Sequence, residues 1–160
     1  LVKEEDLSIF ERFQGVFQGR GKGVYPTIEP FEYLETLSLF SDGRPFIRLE
    51  QKTKKTDGLT PLHQEVGYIR VVGDSRLELL LIQPTGVAEI AEGTYFEEED
   101  TALMEFRSYK VVTTPTAKSV SETLRTYKVR DLELVCEFHM AAVGHDRQLH
   151  LRSELTKAES

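Results

Sequence analysis

Residues 15–28 read Gly15-Val16-Phe17-Gln18-Gly19-Arg20-Gly21-Lys22-Gly23-Val24-Tyr25-Pro26-Thr27-Ile28, and this stretch decides how the rest of the chain is understood. Gly19, Gly21 and Gly23 recur at period two, so an extended strand here is bare on one face. A phosphate cradle is excluded, because a dinucleotide-type glycine motif must open a helix and "VYPTI" does not. Two readings stay open. The bare face permits the sharp bend that closes a barrel, or it permits a flat, bulky ligand to lie against the backbone.

Outward from this strand the chain is punctuated for β-structure. Before it, Leu7, Ile9, Phe10 and Phe13 give a short amphipathic helix. After it, runs rich in Val, Ile, Leu, Tyr, Phe and Thr are separated by turn signals such as Ser41-Asp42-Gly43, Thr56-Asp57-Gly58, Gly73-Asp74-Ser75 and Pro84-Thr85-Gly86. Counting the glycine-rich run gives ten strands with no long helix between any two, which excludes βαβ units. The pattern predicts one all-β domain over residues 1–160 with a short N-terminal helix, its ten antiparallel strands forming either a sandwich or an up-and-down barrel, of which the barrel leaves no exposed edge. Ten strands enclose more room than eight, enough for a ligand. Near the end of the chain, Leu132, Leu134, Cys136, Phe138 and Met140 fall on one face, with Glu133, Glu137 and His139 on the other.

Composition narrows the function classes. A formal net charge of −7 opposes non-specific binding to nucleic acid or anionic lipid. The densest basic run, Lys52–Lys55, reads as a hairpin tip. No apolar run approaches a membrane span, and residues 1–12 are acidic and amphipathic rather than signal-like. Cys136 is the only cysteine and asparagine is absent, so neither an internal disulfide nor an N-glycosylation acceptor exists, and a cytoplasmic setting is expected.

Seven segments, read together, resemble the nitrobindin family of heme-binding β-barrels, which implies a ten-stranded antiparallel up-and-down barrel of the fatty-acid-binding-protein or lipocalin kind. These segments are Gly15–Gly21 followed by Tyr25–Ile28, then "PFEYLETLSL", "GRPFIRLEQKT", "PLHQEVGYIR", "IQPTGVAEIAEGTY", "TAKSV" and "MAAVG…LHL". Phe17 stands where the family signature carries Trp. The resemblance implies ferric heme b held at the barrel mouth by a single axial ligand, His150. It implies that Thr27 and Lys118 lie near the heme and its propionates, Leu62 and His63 beside the distal face, and Gln83 and Met140 along the pocket. It also implies nitric oxide binding and isomerisation of peroxynitrite to nitrate. A homodimer through the outer face is compatible with the pattern.

Taken residue by residue, the same positions admit plainer roles. Strict alternation puts His150 with Gln148, Arg152 and Glu154, opposite Leu149 and Leu151, as a surface residue would be. His63 either donates to an iron-bound ligand or merely starts a strand after Pro61; Lys118 is a propionate partner or a solvated lysine; Thr27 holds a propionate or a strand end. Met140 fills the core or touches heme, which is one physical statement. Cys136 faces the apolar side as an inert thiol, and His139 and His145 read as surface residues. The four histidines show no zinc spacing. The competing function is a fatty-acid or lipid carrier, for which Arg125 and Tyr127 would share one strand face to anchor a carboxylate.

Overall fold

The computed structural model describes residues 2–159. The single-domain reading also takes in Leu1 and Ser160, which lie outside the described residues. After a 3₁₀ turn at Glu4–Leu7, helix α1 spans Ser8–Phe13. Ten strands follow: β1 (Gly15–Tyr25), β2 (Ile28–Phe40), β3 (Phe46–Lys54), β4 (Pro61–Gly73), β5 (Arg76–Gln83), β6 (Val87–Glu98), β7 (Thr101–Thr113), β8 (Val120–Arg130), β9 (Glu133–Ala142) and β10 (Gln148–Lys157). Each pairs antiparallel with its successor, and β10 returns to β1, so the expected ten-stranded barrel closes on itself. Tight turns set the register. Asp74 and Ser75, between β4 and β5, take φ of 53° and 59°, the left-handed pair whose twist matches a two-residue hairpin. Leu132, expected on the apolar face with Leu134, instead sits in the β8–β9 turn and is 57% exposed. Among the described residues no helix is long and apolar enough to cross a membrane.

The seam between β1 and β10 answers the question posed by the glycines. A Cβ on Gly19 would stand 2.0 Å from the Glu154 carbonyl oxygen of β10. One on Gly21 would meet the Tyr33 ring at 2.2 Å, and one on Gly23 the Phe31 ring at 2.3 Å. Of the two readings, the geometry supports barrel closure. The bare face lets the seam close, and the flat groups lying on it are the protein's own aromatic rings from β2.

The interior is layered along the barrel axis. At one end Ile9, Phe10 and Phe13 of α1 plug the opening and pack on Phe17, Leu37, Leu39, Leu49, Ile69 and Phe106. Each fully buried side chain of this kind contributes about 1.5–3 kcal/mol. The plug is tied down by Asp6, whose carboxylate accepts hydrogen bonds from the Lys3 amide at 2.8 Å and the Tyr95 hydroxyl at 3.2 Å. A polar layer follows, and beyond it the far end is open.

The seam geometry predicts an asymmetric response to one methyl group. Gly19→Ala should cost about 3 kcal/mol, because the opposing atom is backbone and cannot swing aside. Gln18→Ala, on the exposed face next to it, should stay within about 0.5 kcal/mol. Urea unfolding of the two variants measures the difference.

Candidate functional site

The open end holds a cavity of about 570 Å³, inside the range of roughly 300–1,000 Å³ usual for small-molecule and cofactor sites. A larger groove, about 800 Å³, runs over the surface between α1 and Ser41–Arg44; its lining is mostly polar or charged and includes none of the candidate residues. Six of the seven predicted site residues line the cavity together: Leu62, His63, Gln83, Lys118, Met140 and His150. Lys118 is exposed, on the loop between β7 and β8. Thr27 is not among the lining residues; it is exposed in the turn joining β1 to β2.

Interruptions of the strand ladders explain why residues of mixed parity meet here. Pairing of β10 with β9 slips between Leu149 and Leu151, so His150 is an extra residue in its strand. Below the slip Ser153 and Leu155 face inward, and at the slip His150 and Leu151 both line the cavity. Strict alternation, which put His150 on the surface, fails because a bulge re-aims the side chain. The β1–β2 pairing slips likewise between Gly23 and Tyr25, and β3–β4 between Thr53 and Lys54, opposite the consecutive lining pair Leu62 and His63. All three irregularities lie toward the open end.

The β10 bulge meets the end of the β1 ladder at the seam. The β1–β10 ladder ends at Gly23 and Leu151, and the next bond is made by a side chain: His150 Nδ1–H donates to the Val24 carbonyl at 2.9 Å. A carbonyl only accepts, so the proton is on Nδ1 and Nε2 keeps its lone pair. Burial lowers the His150 pKa below its ordinary value, against the opposing pull of the Val24 carbonyl, so the ring is neutral at pH 7. Aromatic rings brace it. Tyr25 stands edge-on at 5.4 Å between centroids, Phe138 at 6.1 Å and Phe31 at 6.5 Å. The Tyr25 hydroxyl accepts from the Ala142 amide at 3.0 Å, pinning β1 to the end of β9. Tyr25 was visible in the sequence only as part of a motif, and its bracing role had no signal of its own. Of the remaining histidines, His145 is exposed and edge-on to Tyr25 at 5.9 Å. His139, expected at the surface, is half-buried with its Nδ1 enclosed and unpartnered.

Deeper in, the cavity floor is polar. Glu35, Gln51, Glu65, Arg125 and Ser153 all line it and are all at most 6% exposed. Arg125 donates to Glu65 at 2.8 Å, pairs with Glu89, and lies over the Phe138 ring at 4.3 Å. His63 Nε2 is 3.5 Å from the other oxygen of Glu65. Burial alone would raise the Glu65 pKa, but Arg125, with His63 behind it, holds that carboxyl below its usual value. Glu35 makes no ion pair with Arg125, whose guanidinium is taken by Glu65 and Glu89. Burial pushes its pKa up to about 7, against a hydrogen bond from Gln51 at 3.3 Å, and the charge of Glu65 adds to the rise. Cys136, also lining the floor, has its thiol pKa raised by burial, as an inert thiol would.

These groups can be tested against the two ligands in contention. Arg125 and Tyr127 do face inward together, as the lipid-carrier reading requires. Yet Arg125 is already neutralised by two of the protein's own carboxylates, and Glu35 and Glu65 would repel a third. A tetrapyrrole asks for different things: one unprotonated imidazole nitrogen, apolar flanks and a cation at the rim for its carboxylates. His150, the side chains of Phe31, Leu62, Phe138, Met140 and Leu151, and Lys118 supply them.

Comparison with known proteins agrees with that choice. The family described as "THAP4-like, heme-binding beta-barrel domain" matches residues 6–157. Peroxynitrite isomerase 2 of Mycobacterium ulcerans (strain Agy99) is 40% identical over 152 residues, covering 95% of this chain and 94% of that protein. Peroxynitrite isomerase of Nocardia farcinica (strain IFM 10152) is 36% identical over 152 residues, covering 95% and 90%. The crystal structure of Rv2717c from M. tuberculosis superimposes with a TM-score of 0.92 at 37% identity, covering 96% of this chain and 98% of that one.

The raised acid on the floor makes stability depend on pH in a definite direction. Glu35 binds its proton more tightly folded than unfolded, so its contribution is full below about pH 4.5 and is lost as pH rises toward about 7. Urea midpoints taken from pH 5 to pH 8 should fall over that window for the wild type. For Glu35→Gln this component of the slope should vanish.

Proposed function

The chain belongs to the THAP4-like, heme-binding β-barrel family, and from that premise we propose that it binds heme b through His150 and isomerises peroxynitrite to nitrate at the ferric iron. The observation that carries the axial assignment is the hydrogen bond from His150 Nδ1 to the Val24 carbonyl. It fixes the tautomer, leaves Nε2 free to ligate, and raises the basicity of the ring as a ligand.

When bound, heme would supply a Lewis-acidic iron for the rearrangement of the substrate's O–O bond. Everything else falls to this chain. Val24 and the rings of Tyr25, Phe31 and Phe138 hold the His150 imidazole against rotation. Leu62, Met140 and Leu151 exclude water from the pocket walls, and Gln83 contributes a polar edge. His63, with Nε2 toward Glu65, would in its imidazolium form donate a hydrogen bond from Nδ1 to an anionic ligand. Lys118 would pair with a propionate as a point charge at the rim. Thr27, in its exposed turn, would reach a propionate only from outside the cavity lining. Isomerisation changes no oxidation state overall, so the site needs no electron donor.

Nitric oxide binding at the same iron belongs to this proposal, as does a cytoplasmic setting, supported by a single cysteine held in the barrel interior. Self-association would draw on the outer wall, where the exposed side chains of Tyr68, Leu80 and Ile90 stand in register across β4, β5 and β6.

Titration of ferric heme into the apo-protein should give a histidine-ligated spectrum. His150→Ala should lose affinity by at least about tenfold and shift the absorption maximum. Stopped-flow mixing of the heme-loaded wild type with peroxynitrite should speed its decay and raise the yield of nitrate. Identical spectra and affinities for the two proteins would refute the axial assignment.

A further inference from the structure

The floor of the cavity is more acidic than a pocket for an apolar macrocycle requires. Glu35 on β2, Glu65 on β4 and Glu89 on β6 project into the barrel, 5%, 6% and 2% exposed. Among the described residues Arg125 is the one buried cation. It pairs with Glu65 and Glu89 and leaves Glu35 with only the Gln51 amide. Folding does not explain this arrangement, because burying ionised groups costs more than equally sized apolar side chains would. The layer is also within reach of the axial position. His63 touches Glu65 at 3.5 Å and is close enough to His150 to depress its pKa, while Phe138 has one face toward Arg125 and contacts the His150 ring.

We propose that the buried carboxylates Glu35 and Glu65 set the oxidation state of the cofactor, stabilising ferric over ferrous heme in this cavity. The inference rests on the heme reading above and adds to it which protein groups keep the iron in the competent state. Ferric heme carries one more positive charge than ferrous heme. In a dry, weakly screening interior an excess of fixed negative charge favours the more positive form. Loss of one carboxylate charge removes part of that preference. The two acids act differently with pH. Glu65 is held ionised by Arg125. Glu35 faces Tyr33, Gln51, Glu65, Arg125, Cys136 and Ser153, and in that company it changes charge near neutrality.

The test is the midpoint potential of the heme-loaded protein, read by spectroelectrochemistry at pH 6 and pH 8. At pH 8, Glu35→Gln should lower the ferric-to-ferrous preference about tenfold, a rise of about 59 mV for a one-electron couple. At pH 6 it should converge on the wild type, whose own Glu35 is then largely protonated. Glu65→Gln should raise the potential at both pH values. Should Glu65→Gln not fold, the comparison of wild type with Glu35→Gln suffices, since the substitution is isosteric. A purely structural role for the layer would move the unfolding midpoint and leave the potential alone. Coincident potentials for wild type and Glu35→Gln at both pH values, with normal heme spectra, overturn this inference while sparing the heme reading. Failure of the wild type to take up histidine-ligated heme overturns both.

Discussion

The hydrogen bond between the His150 ring and the Val24 carbonyl is where fold and chemistry become one problem. A barrel must join its first strand to its last, and here the join runs from Phe17–Lys157 to Gly23–Leu151 before the ladder gives out. At that point β10 carries an extra residue and the β1–β2 register shifts, and the carbonyl of Val24 on β1 is satisfied by the side chain of His150 on β10. The ladder leaves that carbonyl without a strand partner, and an imidazole without this bond would be free to choose its tautomer. One contact removes both difficulties and leaves a lone pair available inside the cavity. The glycines of β1 serve the same end, because only a strand without side chains on its inner face lets β10 and the rings of Phe31 and Tyr33 come so near.

The interior then divides its labour. The helix end is packed apolar and closed, the mouth is open and lined by motif residues, and the acids between them are neither core nor mouth. That middle layer distinguishes this barrel from a lipid carrier. An arginine and a tyrosine of the right spacing are present, but the arginine already has its carboxylates. Ligand class is decided less by the presence of a cation than by whether anything has neutralised it.

Much of this was legible in the sequence. Ten runs with turn residues between them specified the strands of the barrel, because hairpin punctuation and alternation are local properties. Most of the cavity lining came through the motif segments, Thr27 being the position that falls outside it. Parity misjudged His150, since a bulge adds a residue without any compositional mark and inverts the face from there on. The acidic layer also leaves a mark in the sequence. Glu35 shares its parity with Tyr33, Leu37 and Leu39, Glu65 with Ile69 and Val71, and Glu89 with Val87 and Ala91. An acid on the apolar side of a strand, three times over, is a signal that alternation itself provides. What no single strand reveals is that the three acids converge on Arg125, because that depends on closure.

On the proposed ligation, the histidine that holds the cofactor comes from the tenth strand and is oriented by an atom of the first, 126 positions earlier. A chain emerging from the ribosome therefore has no competent binding site until its last hairpin has formed and docked. Contacts this distant in sequence are slow to assemble. Capture of a reactive cofactor is thus deferred to the completed molecule, and a truncated or half-made copy cannot sequester it.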